Sequence, residues 1–182
     1  MDLPQERIYT IEDFYNLPEG IRAELINDKI YMQASPSANH QRLSLKLTRL
    51  IADYIDARDG DCEVFPAPFD VFLSGNENEC FIPDISVICN PDLIKDRGCY
   101  GAPDWIIEIV SPSTASLDYF LKPEKYRIAG VKEYWIINMM KHTVTVYHFE
   151  DENFSPRTYS FQDNIKTNIY SDLIIDFSGF GI

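Results

Sequence analysis

Apolar positions recur along this chain with two periods, and the changes between them mark out the elements. In Thr10-Ile11-Glu12-Asp13-Phe14 a hydroxyl precedes an apolar residue and an acid follows three places on. That is a capping box opening a short helix, and Pro18-Glu19-Gly20 stops it. Ala23-Glu24-Leu25-Ile26 and Lys29-Ile30-Tyr31-Met32 flank Asn27-Asp28, which predicts a hairpin. After Ser35-Pro36-Ser37 the period lengthens to that of a helix reaching roughly Arg58, with His40, Leu43, Leu47, Leu50 and Tyr54 on one face. Residues 62–65, 69–73 and 81–89 predict three strands, the last two separated by a polar loop at 75–79. Residues 91–101 read as a turn-rich loop.

Trp105-Ile106-Ile107-Glu108-Ile109-Val110 follows, apolar on both faces apart from one carboxylate. Trp105, Ile107 and Ile109 point one way; Ile106, Glu108 and Val110 point the other. Such a strand belongs at the centre of a covered sheet. Pro123 and Gly130 then bracket a helix, and residues 133–138 return as a strand. A strand, a crossover helix and a strand predict parallel neighbours. A turn at 139–142 leads into an antiparallel partner at 143–149, and the tail adds one more strand pair. The fold class is α/β with a mixed central sheet, and residues 1–182 are expected to form a single domain.

Composition adds little to this picture, and charge adds a constraint. Hydrophobic residues make up 45% and charged residues 25%, a globular balance. A net charge of −13 argues against broad electrostatic binding of nucleic acid, which needs Lys and Arg on phosphates, and leaves room for a local or metal-dependent site. Cys62, Cys80, Cys89 and Cys99 form no Cys-x-x-Cys pair, so they are read as reduced thiols of a cytoplasmic protein. The first residues do not have the pattern of a signal peptide, and no apolar stretch reaches membrane-spanning length.

The chemistry turns on Glu108, because an ionised carboxylate in an apolar strand is costly unless a cation compensates it. Asp84, after Pro83, stands at the start of a second strand. One acid on each of two neighbouring strands can converge on an oxygen-liganded ion, and magnesium needs only one or two protein carboxylates besides water and phosphate. Lys122, at the start of the helix after the Glu108 strand, is the candidate for orienting water or holding developing charge. Each has a plainer reading. Glu108 could be buried against Lys122 or Arg127. Asp84 could cap a strand, Glu24 could face solvent and Lys122 could be exposed. His40 by default is a half-buried, hydrogen-bonded histidine, Asp70 is structural, and His142 and His148 are surface residues.

Pro83-Asp84 followed by Glu108-Ile109-Val110 resembles the PD-(D/E)XK nuclease superfamily. The resemblance is closer to its Uma-two branch. It is carried by residues 24–30, Ser35-Pro36-Ser37 with His40, Ala67-Pro68-Phe69-Asp70-Val71, residues 100–104, and Glu108-Ile109-Val110-Ser111-Pro112-Ser113-Thr114-Ala115. Asp118, Lys122, Tyr126 and Ala129-Gly130-Val131-Lys132-Glu133-Tyr134-Trp135 complete it. It implies a restriction-endonuclease-like core whose mixed sheet is flanked by helices. It implies a divalent-metal-dependent DNA endonuclease with Asp84 and Glu108 as ligands of magnesium or manganese. Lys122 is then the catalytic lysine and Glu24 an added catalytic acid, and a homodimer is compatible with cutting two strands. Two features depart from the pattern. Val110 stands where the superfamily usually has its lysine, and Tyr119 stands where the branch often has arginine. The alternative is a catalytically inactive interaction module on the same fold.

Overall fold

The computed structural model describes residues 7–74, 77–151 and 155–181; residues 1–6 and part of the loop expected at 75–79 lie outside them. Helix α1 (Ile11–Tyr15) is opened by Thr10, whose side chain accepts from Asp13 N while Asp13 reaches back to the Thr10 backbone. Strands β1 (Ala23–Ile26) and β2 (Lys29–Met32) pair antiparallel. Their turn residues Asn27 and Asp28 take positive φ of 49° and 58°, the left-handed pair that matches a tight hairpin to strand twist. Helix α2 (Ala38–Asp56) is capped by Ser37, which accepts from His40 N, and it ends two residues short of Arg58. Its buried stripe is Leu43, Ser44, Leu47, Ile51 and Ile55, while Leu50 and Tyr54 are only partly covered. The apolar face is therefore turned slightly from the expected one, because Ile51 and Ile55 continue the Leu43–Leu47 line at four-residue steps.

Strands β3 (Glu63–Pro66), β4 (Asp70–Phe72) and β5 (Ile85–Ile88) follow. The segment expected to be a loop carries two short strands, β6 (Ile94–Lys95) and β7 (Gly98–Tyr100), which build a small sheet with β4. Next come β8 (Trp105–Ile109), a π-helical turn at Leu117–Leu121, and α3 (Lys122–Ala129), ended by Gly130 at φ 97°. A residue with a side chain is disfavoured in that left-handed position. Strands β9 (Glu133–Asn138), β10 (Thr143–His148), β11 (Arg157–Ser160), β12 (Asn164–Lys166) and β13 (Ile174–Asp176) complete the chain.

The six-stranded sheet runs β11-β10-β9-β8-β5-β3, with β8 and β9 parallel and the other neighbours antiparallel. β8 is thus a central strand, and all five of its residues are buried. Trp105, Ile107 and Ile109 pack with Leu43, Leu47, Ile51 and Ile55 of α2 and with the C-terminal residues Phe161, Ile175 and Phe177. Ile106 and Val110 pack on the opposite face with Tyr126, Tyr134 and Phe81. Glu108 shares that second face and is placed directly over α3.

Two readings need correction. Cys62 and Cys89 are not reduced thiols: they form a disulfide, while Cys80 and Cys99 are free and buried. The β3–β5 register sets Glu63 opposite Ile88, so the two cysteines are the next pair outward, a proximity that spacing along the chain does not show. His148 is not a surface residue either: its side chain is 17% exposed and lies beside buried Glu133.

Candidate active site

Glu108 projects from β8 against the first turn of α3. Its Oε1 accepts from Lys122 Nζ at 2.8 Å and from the Tyr126 hydroxyl at 3.0 Å. Tyr126 lies four residues beyond Lys122, so one helical face supplies both donors. Lys122 Nζ also contacts Glu24 Oε2 at 3.0 Å and Asp118 Oδ1 at 3.3 Å. Asp118 lies in the π-helical turn that runs into α3, four residues before Lys122. The contact to Asp118 is close but poorly aligned, and Asp118 Oδ1 has no hydrogen-bond partner among the described residues. Three carboxylates thus surround the three donors of one ammonium.

Glu24 does not face solvent. β1 is covered on both sides, since Leu25 exchanges backbone hydrogen bonds with Cys80 and Glu24 Oε1 accepts from Ile82 N at 2.9 Å. The β1–β2 hairpin docks on the chain just before β5, which explains why its local alternation misleads.

Asp84 immediately precedes β5. The register that sets Ile85 opposite Ile107 brings Asp84 beside Glu108. Ile109 N donates to Asp84 Oδ2 at 2.7 Å, and Asp84 N lies 3.4 Å from Glu108 Oε2. His40, in the first turn of α2, contacts Asp84 Oδ1 through Nε2 at 2.8 Å. The carboxylate oxygen accepts, so Nε2 carries the hydrogen. Glu24, Asp84, Glu108 and Lys122 are therefore brought together. Asp118, Tyr126 and His40 join them, and sequence reasoning gave no site role to the first two. Asp70 stands apart in β4, its carboxyl raised by burial beside Cys80.

Asp84, Glu108, Asp118, Lys122 and His40 line a cavity of about 490 Å³. One wall is Ser35-Pro36-Ser37 with Gln33 and Arg22; another is Ser111-Pro112-Ser113-Thr114; Met139 and Met140 complete it. Burial pushes the Glu108 carboxyl well above its ordinary range, and Lys122 offsets this only in part. Asp118 is raised for the same reason. Burial works against the Lys122 ammonium, but Glu108, Glu24 and Asp118 hold its pKa well above the usual value. Three acids share one lysine, so the lysine keeps its proton, and Glu108 and Asp118 resist losing theirs. Among the described residues, no three His, Cys, Asp or Glu side chains form a ready-made metal cage.

Residues 11–176 match the family Uma2, described as "Putative restriction endonuclease". The chain belongs to the Uma2 family. This Uma2 chain is 26% identical over 133 residues to the uncharacterized protein slr1290 of Synechocystis, covering 71% of this chain and 67% of that one. It is 30% identical over 129 residues to the uncharacterized protein sll1609 of the same organism, covering 69% and 71%. A crystal structure of a "putative nuclease belonging to DUF820" from Anabaena variabilis superposes with a TM-score of 0.75 at 20% identity, covering 94% of this chain and 96% of that one. That likeness is one of fold, and it agrees with the expected nuclease-like core. At the two departures from the superfamily pattern, partly buried Val110 packs against the core and Tyr119 accepts from Asn138 Nδ2 at 3.5 Å. Among the described residues no helix is long and apolar enough to cross a membrane.

Proposed function

We propose that this Uma2 chain is a divalent-metal-dependent DNA endonuclease that hydrolyses phosphodiester bonds in the cavity holding Asp84 and Glu108. The carrying observation is the charge of the site: four carboxylates, Glu24, Asp84, Glu108 and Asp118, gather where Lys122 pairs with three of them. Buried carboxylates in that excess call for protons or for a cation. Glu108 gives one oxygen to Lys122 and Tyr126 and leaves Oε2 with a single long contact. Asp84 sits beside it at the cavity. These two oxygen donors fit magnesium or manganese, which bind through one or two carboxylates plus water and phosphate and need no protein cage. Bound there, the ion would supply Lewis acidity toward the phosphate and a water of lowered pKa.

The chain's own residues do the rest. Tyr126 and Lys122 fix the Glu108 carboxylate, and His40 with Ile109 N fixes Asp84. Such held ligands present their free lone pairs in one geometry. Lys122 has its longest contact with Asp118, so this is the partner that a water or phosphate oxygen would displace when the lysine orients the nucleophile. Glu24, bound to both Lys122 and Ile82 N, keeps the ammonium at the site. A homodimer would present two such sites to one duplex.

A second reading is an inactive interaction module, and one observation favours it: three carboxylates already occupy the ammonium of Lys122. Calorimetric titration with magnesium and manganese separates the two. The nuclease reading expects binding that Asp84→Asn and Glu108→Gln weaken and DNA cleavage that both substitutions abolish. A folded protein that binds neither ion favours the module.

A further inference from the structure

Arg22 is the second cationic side chain in the wall of this cavity, with Lys122 as the first. Among the described residues its side chain makes no hydrogen bond or ion pair. That is unusual for a cation that is not exposed: Lys122, Lys125 and Arg127, the others among the described residues, each hold a carboxylate. The chain has 29 acidic residues and 16 basic ones, and Arg7, Arg49 and Arg58 each hold a carboxylate. Three acids line the same cavity, yet none takes Arg22: Glu108 and Asp118 are turned to Lys122, and Asp84 is held by His40 and Ile109 N. The Arg22 backbone is fixed, because its carbonyl accepts from Gln33 N at 2.8 Å at the open end of the β1–β2 hairpin. The side chain is half-buried. A guanidinium with five unused donors on a fixed stem matches a planar pair of anionic oxygens. Ser35 and Ser37 line the same wall and can add hydroxyl donors.

We propose that Arg22 is the phosphate anchor of this site, gripping a backbone phosphate of the nucleic-acid strand that enters the cavity. The inference rests on the nuclease reading and adds to it where the substrate is held. It places the strand between the Arg22 wall and the Ser111–Thr114 wall, across Asp84 and Glu108. A strongly acidic protein then engages DNA through one focused cation rather than a basic face.

The test is binding of a labelled short DNA duplex, followed by anisotropy over a range of salt. All proteins carry Glu108→Gln so that the probe is not cut. Arg22→Gln is expected to weaken binding about tenfold to a hundredfold, the range for a lost charge-assisted contact. It should also reduce the slope of log affinity against log salt by about 0.9, one phosphate contact on duplex DNA. Arg22→Lys should keep that slope and lose part of the affinity, because the charge remains and the fork does not. Unchanged affinity in Arg22→Gln overturns the proposal. So does weaker binding with an unchanged slope, which would mean a merely structural role. Absence of DNA binding by the parent protein also overturns it. The nuclease reading stands or falls separately, on metal-dependent cleavage by the unmodified chain.

Discussion

Lys122 decides whether the buried acids of this chain can be tolerated. Its side chain is 2% exposed and touches Glu24, Glu108 and Asp118, so removing it strands three buried carboxylates. Lys122→Met is expected to cost about 3–5 kcal/mol at neutral pH, the usual penalty for breaking a buried charge pair. Glu108 and Asp118 have folded pKa values raised by burial, so the folded state holds their protons more tightly than the unfolded one. In the variant the loss should therefore shrink as pH falls and grow as they ionise. Urea melts across pH check this, and a loss that grows toward acid would contradict it. At this scale the chain was partly legible. Glu108 stood out because a charge broke an apolar alternation, and Lys122 because it opened the next helix. Asp118 and Tyr126 reach the same site through helical spacing. Glu24 was obscured because the docking of β1 against residues 80–82 is a long-range contact, with no signal in the local pattern.

Strand β9 carries a further buried acid with a different task. Glu133 Oε2 accepts from Asn168 N at 2.8 Å and Ile169 N at 2.9 Å, and Oε1 accepts from Trp135 Nε1 at 2.7 Å. It ties the C-terminal segment to the sheet. Burial pushes its pKa up from 4.5 to about 6, with those donors pulling the other way. Between those values the folded state binds more protons than the unfolded state, so this group's contribution to stability falls as pH rises through the window and is level above it. Comparing melts of the native chain and Glu133→Gln isolates the effect: their difference should change between about pH 4.5 and 6. A native chain gaining stability over Glu133→Gln as pH rises through that window would contradict it. Elements with strong periodicity, α2, β8 and α3, were legible in the sequence. β6 and β7 were not, because strands of two or three residues have no period to read, and their pairing with β4 exists only in the assembled sheet.

Over the whole molecule, the chemistry gathers at one end of the sheet, where α2, β1, β8 and α3 each deliver one or two side chains. The negative charge that argued against nucleic acid is compatible with the proposed function, in which the site works through a bound cation and a few fixed positive groups. The Cys62–Cys89 disulfide spans 27 residues and closes β3 onto β5. A loop of that size corresponds to about 3–4 kcal/mol of stabilisation in the chain-entropy account. Reduction, or Cys62→Ser with Cys89→Ser, should lower stability by up to that amount in a denaturant melt. No change would show that the bridge constrains nothing. In the proposed function Asp84 and Glu108 support metal-dependent DNA hydrolysis. The direct measurement is cleavage of plasmid DNA by the native chain, Asp84→Asn and Glu108→Gln, with magnesium, with manganese and with chelator. Cleavage by the native chain is expected only when metal is present, with at least about a hundredfold loss in each folded variant, the order expected when a positioned catalytic group is removed. Cleavage that persists in either variant, or that ignores chelator, would contradict it.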